Sequence, residues 1–285
     1  MEFFVQKRAV FTLNIHCRIF APSIKQRMNT LVQSGEFEYW EKGQGSPLII
    51  LHGLMGDISN FHDQVEYFSS VGYRVLVPHL PLYSMPLPTT SVKSLTQWVK
   101  KFVDHLKIEK ATFLGNSLGG HIALIFQKMY PTRTHGLVLF GSSGLYESAM
   151  GNTYPRRGDY NYIEERIKDV FFQKNVVTKE LVDEVFAIVN DRMKAIKTLA
   201  ISKSAIRHNM AEDLPSFNVP VCLIWGKQDT VTPPDVAVKF HELLPQSELH
   251  WIDECGHAAM MEHPQEFNRI LEQWLKTHIP QEEKA

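Results

Sequence analysis

Short apolar runs punctuate the chain, each ended by glycine, proline or a polar cluster. They are PLIILHG (47–53), YRVLVPHL (73–80), ATFLGN (111–116), GLVLFGS (136–142) and VPVCLIWG (219–226). Runs of this length without polar alternation predict strands buried on both faces, as in a parallel sheet sandwiched by helices. EFEYWEKG (36–43) alternates and ends in glycine, predicting a strand and turn, and ELHWID (248–253) predicts the last strand. Between the strands the period changes. Residues 58–70 have helical length. In 91–106, Val92, Leu95, Val99, Phe102, Val103 and Leu106 fall on one helical face, with Ser91 placed to cap it. Further helices are predicted over 118–130, stopped by Pro131, after Pro233-Pro234, and over 264–278.

Strand and helix in alternation predict an α/β fold with a doubly wound, mostly parallel sheet. The alternation breaks over 145–210, which is helical, charged and free of any buried-strand run. A helical insertion interrupting such a sheet reads as a cap over its ligand end. The organisation expected is therefore a core of 29–144 and 211–285, a cap of 145–210, and an extension of 1–28 outside the fold. In that extension Glu2 is the only acid against Lys7, Arg8, Arg18, Lys25 and Arg27, and Met28 is a natural first residue. The alternative is an export signal in residues 1–21, but its apolar core is weak and no A-x-A site follows.

Composition narrows the partners. The 285 residues are 44% hydrophobic and 21% charged, with net charge -1 from 30 basic and 31 acidic side chains. Such a balance attracts no polyanion, so a nucleic-acid partner is not expected. No apolar stretch approaches the roughly 18 residues of a membrane span. The cysteines Cys17, Cys222 and Cys255 are odd in number and lack C-x-x-C spacing, which argues against a disulfide framework or zinc site. A reducing, cytoplasmic compartment is expected. None of the 13 histidines shows paired metal-ligand spacing, so no metal and no cofactor are expected.

The candidate chemistry centres on GNSLGG, residues 115–120, at a predicted strand-to-helix junction. So sharp a turn strains its central residue and tolerates only small neighbours, which Gly115, Gly119 and Gly120 supply. It presents Ser117 at the carboxyl edge of the sheet, in front of a helix whose free N–H groups favour a developing anion. The pattern is G-x-S-x-G. A serine hydroxyl needs a base and the base needs an orienting acid. Asp229 follows the predicted strand 219–226, His257 follows 248–253, and both belong to the same edge as Ser117. The chain order Ser, Asp, His is that of G-x-S-x-G hydrolases. Asp253 and Glu254 are rivals to Asp229. His52 and His121 read as bracing residues, Asp57 as a helix cap, and Cys255 as a small buried side chain.

With LHGLMG (51–56), GNSLGG, GKQDTVTP (226–233) and CGHAAMMEHP (255–264) in place, the chain resembles the α/β-hydrolase fold superfamily from about residue 36 to 278. The resemblance implies a mostly parallel central sheet with helices on both faces and a helical cap inserted after the sixth strand. It implies Ser117 as nucleophile, His257 as base and acid, Asp229 as orienting carboxylate, and an oxyanion hole from the N–H groups of Leu54 and Leu118. The serine points away from branches of the fold that require aspartate there. The expected function is acyl-enzyme hydrolysis of a small carbonyl substrate, with a carboxylic ester as the main expectation. A non-enzymatic ligand-binding protein of this fold is one alternative.

The other alternative is carbon–carbon bond hydrolysis, because the chain is locally similar to the meta-cleavage product hydrolases at Asn60, Asn116 and Arg192. That similarity implies that these residues hold the substrate, with the arginine on a carboxylate. The chain also departs from that family: HGLMGD stands where a glycine-rich run is common, and Ala258 where tryptophan often follows the histidine. PHLPLYSMPLP (78–88), with Leu82 and Tyr83 in place of small residues, is expected to reshape the pocket.

Overall fold

The computed structural model describes residues 31–146 and 156–279. The expected extension 1–28 and Cys17 lie outside the described residues. Eight strands form one sheet: β1 Leu31–Ser34, β2 Phe37–Lys42, β3 Ser46–Leu51, β4 Tyr73–Pro78, β5 Ala111–Asn116, β6 Thr134–Phe140, β7 Val221–Gly226 and β8 Ser247–Ile252. Their spatial order is β1-β2-β4-β3-β5-β6-β7-β8. β1 and β2 run antiparallel, and the strands from β4 to β8 run parallel. β1, only four residues long, is not signalled by the sequence pattern.

The helices are α1 His62–Ser70, α2 Val92–His105, α3 Leu118–Met129, α4 Tyr160–Lys168, α5 Lys179–Asn190, α6 Arg192–Arg207, α7 Pro234–Leu243, α8 Ala259–Glu262 and α9 Pro264–His278. The single helix expected over 58–70 divides into a 3-10 turn, Ile58–Phe61, and α1. Ser91 caps α2 as its position predicts, its hydroxyl accepting from the Ser94 N–H at 3.1 Å.

Alternate residues of the buried strands supply two cores. Ile49, Leu51, Phe113, Leu139, Leu223 and Trp225 face α2, α3 and α7. Leu48, Ile50, Leu114, Val138, Phe140 and Ile224 face α1 and α9. Every one of these side chains is essentially inaccessible to water. Two apolar faces per strand explain why the sequence shows continuous runs rather than alternation.

Strand order reverses at β3, which lies between β4 and β5. Open α/β sheets bind ligands outside the carboxyl ends of their strands at such a reversal. The loops after β3 and β5 meet there. Between β6 and β7 the chain leaves the sheet to form α4, α5 and α6. It departs at Gly144 and returns at Met210, and these two residues are tied directly, Met210 N–H to Gly144 carbonyl at 2.8 Å.

Two buried histidines brace this architecture in neutral form. The Leu80 N–H donates to His52 Nε2 at 3.0 Å, so the ring proton sits on Nδ1, 3.0 Å from the Gly53 carbonyl. His121, on α3, donates from Nε2 to the His208 carbonyl at 2.8 Å, where the inserted segment returns. Burial pushes the pKa of His52 down to about 4 and that of His121 down to about 3. Unfolding releases both to the ordinary value near 6.5. Their contribution to stability is therefore complete above that pH and is lost as pH falls toward 4, by on the order of 3–5 kcal/mol each at the limit. Urea unfolding free energies measured from pH 7 to 4.5 should fall steeply below pH 6.5. His121→Gln, which keeps a donor for His208, should flatten that slope by about one proton.

Candidate active site

The turn from β5 into α3 is the geometric origin of the site. Ser117 has φ 51° and ψ -118°, a conformation rare for a residue with a side chain. It is held from both directions: its N–H donates to the Phe140 carbonyl at 3.3 Å, and its own carbonyl accepts from Gly120, His121 and Ser143. The helix comes so close to β3 that a Cβ on Gly119 would stand 2.0 Å from the Leu51 carbonyl oxygen. Side chains larger than hydrogen are thus excluded, the reason for the glycines around the serine.

Asp229 and His257 form a buried pair, His257 Nδ1 to Asp229 Oδ2 at 2.9 Å. The aspartate accepts three more hydrogen bonds: from the Val231 and Thr232 N–H groups on Oδ1, at 2.8 and 2.9 Å, and from the Thr232 hydroxyl on Oδ2 at 2.8 Å. So full a set of donors fixes the plane of the carboxylate. With Nδ1 turned to the carboxylate, Asp229 sets the orientation of the imidazole ring. The ring lies against Gly141 (φ 51°), where a Cβ would be 2.9 Å from Nδ1. Neither contact was foreseen from sequence: Thr232 lies within GKQDTVTP but was given no role there, and Gly141 belongs to no motif. The alternatives Asp253 and Glu254 do not take this position. Asp253 is exposed and ion-paired to Lys227 at 2.6 Å.

Ser117 and His257 line one cavity of about 420 Å³. Its floor is Gly53, Leu54, Asn60 and Asn116, from the loops after β3 and β5. Its walls come from the inserted segment, chiefly Ile167, Phe171, Leu181, Val185, Val189 and Leu199. Among the described residues, the N–H groups of Leu54 and Leu118 find no acceptor. Leu54 lines the cavity, and Leu118 follows Ser117 directly as the first residue of α3.

Asn60 and Asn116 both reach the cavity, but Asn116 is also engaged behind it. Its Nδ2 donates to the Phe140 carbonyl at 3.0 Å and to the His257 carbonyl at 3.3 Å, pinning the His257 loop to the sheet. Arg192 does not line the cavity. It is exposed at the start of α6, and the arginine among the residues lining the cavity is Arg157. The sequence similarity around Arg192 locates the helix but not the direction of its first side chain. The loop containing Leu82 and Tyr83 does not line the cavity either. It braces α6, with Lys197 donating to the Tyr83 carbonyl at 2.7 Å. Asp57 makes no side-chain cap and instead accepts from the Ser59 hydroxyl at 3.1 Å.

Cys222 and Cys255 are buried free thiols, and burial pushes the pKa of both up, away from the reactive thiolate. Among the described residues, no group of three or more histidine, cysteine or acidic side chains is placed to hold a metal, and no helix is long and apolar enough to cross a membrane.

The family described as alpha/beta hydrolase fold matches residues 46–195 and 173–264. Among solved structures, an α/β hydrolase enzyme from the metagenome of sediments from the lagoon of Mar Chica, Morocco, is 51% identical. The match covers 87% of this chain and 99% of that one, with a TM-score of 0.73. The 2-hydroxy-6-oxononadienedioate/2-hydroxy-6-oxononatrienedioate hydrolase of a Pseudomonas species is 30% identical over 264 residues, 85% of this chain and 92% of that protein. The 2-hydroxy-6-oxo-6-phenylhexa-2,4-dienoate hydrolase of Burkholderia cepacia is 28% identical over 256 residues, 82% and 89% of the two chains. A parallel sheet with its serine turn at the point of reversal, and similarity along most of its length, agree on one conclusion: the chain belongs to the α/β-hydrolase fold family.

Proposed function

We propose that this protein hydrolyses a carbon–carbon bond in a 2-hydroxy-6-oxo-dienoate, the substrate type in the names of its relatives. The observation that carries the reading is the cavity beside Ser117: walled by α4–α6, largely apolar, and with one arginine, Arg157, among its lining residues. An apolar acyl group on one side of the scissile C5–C6 bond and a dienoate ending in the C1 carboxylate on the other suit such a space, since arginine binds carboxylates through paired, charge-assisted hydrogen bonds. In this reading the segment 145–210 is a cap and decides which substrate enters.

Carbon is a poor leaving group unless its electron pair has somewhere to go. Moving the 2-hydroxyl proton to C5 gives a ketone at C2 that can receive the pair. His257 then takes the Ser117 proton, Ser117 Oγ adds to the C6 carbonyl, and the Leu54 and Leu118 N–H groups hold the oxyanion. The C5–C6 bond breaks, its electrons pass through the conjugated chain to the C2 oxygen, and the proton held by His257 converts the departing dienolate to the dienol. Water, deprotonated by His257, releases the acid from Ser117. The sum is substrate plus water giving a carboxylic acid and a 2-hydroxydienoate. Asp229 orients the imidazole throughout.

Ester hydrolysis by the same serine is the second reading. It is favoured by Arg192 lying outside the cavity and by the small Ala258, which lines it. A panel of p-nitrophenyl esters and a 2-hydroxy-6-oxo-dienoate separates the two, and turnover of esters alone would reject the carbon–carbon reading. A serine-directed phosphonate should label the protein, and Ser117→Ala should abolish both labelling and turnover, by at least about 10³-fold. An unlabelled wild type would favour a ligand-binding protein.

Arg157→Met should raise KM for the dienoate about tenfold or more, the worth of a charge-assisted hydrogen bond, and leave p-nitrophenyl butyrate unaffected. Arg192→Met should change neither. The reverse result would overturn the assignment of the carboxylate to Arg157. Gly141→Ala places a methyl group against the imidazole and should lower kcat about 10²-fold, as small misplacements of a reacting group do. Circular dichroism should confirm that this variant remains folded.

A further inference from the structure

Glu262 is a buried carboxylate at the end of α8, outside the cavity and in no ion pair among the described residues. Its hydrogen bonds are all to backbone, and they reach in two directions. Oε1 accepts from the Gly256 N–H at 2.9 Å, the residue before His257. Oε2 accepts from the N–H groups of Phe172 and Gln173, both at 2.8 Å, in the inserted segment just after α4. A buried charge is costly unless it is fully hydrogen-bonded, and three N–H donors compensate this one.

The same two stretches of backbone touch again on either side. The His257 N–H donates to the Val170 carbonyl at 3.0 Å, and Gln173 Nε2 donates to the Glu254 carbonyl at 3.3 Å. A Cβ on Gly256 would meet the Val170 carbonyl oxygen at 2.6 Å and the Phe172 nitrogen at 2.8 Å, so the two backbones are in direct contact. Val170 and Phe171, in the middle of this seam, line the cavity. One short segment therefore faces substrate on one side and the His257 loop on the other.

We infer that Glu262 is a positioning residue: its carboxylate clamps the substrate-facing segment 170–173 to the loop bearing His257, so that the imidazole's placement depends on the wall of the cavity. The inference rests on the proposed role of His257 as the base for Ser117. Among the described residues, the charged groups placed near that imidazole are Asp229, in direct contact from the loop after β7, and Glu262, one residue away through Gly256. The Thr232 hydroxyl stands 3.4 Å from Nδ1, the Val170 carbonyl accepts from the His257 N–H, and Gly141 after β6 lies against the ring.

The test follows the pH dependence of Ser117 labelling by a phosphonate, which reports the serine–imidazole couple whatever the natural substrate. Glu262→Gln keeps the shape but cannot accept on both sides, since one oxygen becomes an amide that faces N–H groups. We expect labelling to slow about tenfold, as misplacement of a reacting group does. We also expect its acid limb to move to lower pH, because removing the carboxylate and slackening the Asp229 contact both disfavour the imidazolium. A variant that is only less stable would shift the unfolding midpoint and leave the pH profile in place.

Gln173→Pro deletes one of the N–H donors at a residue whose φ of -80° suits proline, and Gln173→Ala controls for the lost side chain. Proline should reproduce the shift in part, and alanine should not. Should Glu262→Gln fail to fold, this pair decides. A labelled wild type with unmoved profiles in the folded variants would overturn this inference alone. A wild type that resists labelling would overturn the serine mechanism and the inference together.

Discussion

The contact that the rest of the site depends on is the approach of the first turn of α3 to the carboxyl end of β3. Only hydrogen fits between Gly119 and the Leu51 carbonyl, and that closeness is what forces Ser117 into a left-handed turn. The strain is not borne by the serine alone. Phe140 on the neighbouring strand and Ser143 beyond it both bond its backbone, so the sheet's own ladder holds the turn in place. The same approach carries the N–H of Leu118 and the loop of Leu54 to the neighbourhood of Ser117, where the donors are backbone groups and no side chain is spent on them.

Around that turn several polar groups are fixed in direction by hydrogen bonds. Asp229 has each oxygen doubly engaged, His52 is locked as one tautomer by Leu80 and Gly53, and Asn116 holds the backbone carbonyl of His257. These fixed hydrogen bonds cost little to keep at the moment of reaction, because they are made in the resting protein. The cavity walls differ in kind. They are branched aliphatic and aromatic side chains that give volume and dryness but little directional constraint.

Much of this was legible in the sequence where one residue type has one physical use. Continuous apolar runs gave the parallel strands because both faces of the sheet are covered, and the glycines flanking Ser117 announced a close approach before any contact was known. Asp229 and His257 could be placed because the ends of parallel strands share an edge. What escaped is what depends on side-chain direction or on distant backbone. Arg192 has a helical position that the pattern locates well, yet the first residue of a helix can point outward, and Arg157 lines the cavity instead. Glu262 and Thr232 lie within CGHAAMMEHP and GKQDTVTP, yet their spacing does not show what they bond: the partners of Glu262 are N–H groups that every sequence possesses, and that of Thr232 is the Asp229 carboxylate. Gly141 belongs to no motif. The edge strand β1, four residues without a two-faced apolar run, gave too short a signal to read.

The excursion between β6 and β7 begins and ends at residues that are bonded to each other, Gly144 and Met210, while β6 and β7 themselves pair in direct register. Seen from the sheet, the whole helical insert is equivalent to a tight loop, because nothing in the strand pairing depends on how long the detour is. Such a fold can exchange one roof for another, longer or shorter, at little cost to the sheet beneath. What the replacement must still supply is a short stretch able to lie along the histidine-bearing loop, which narrows the roofs that would work far more than the sheet does.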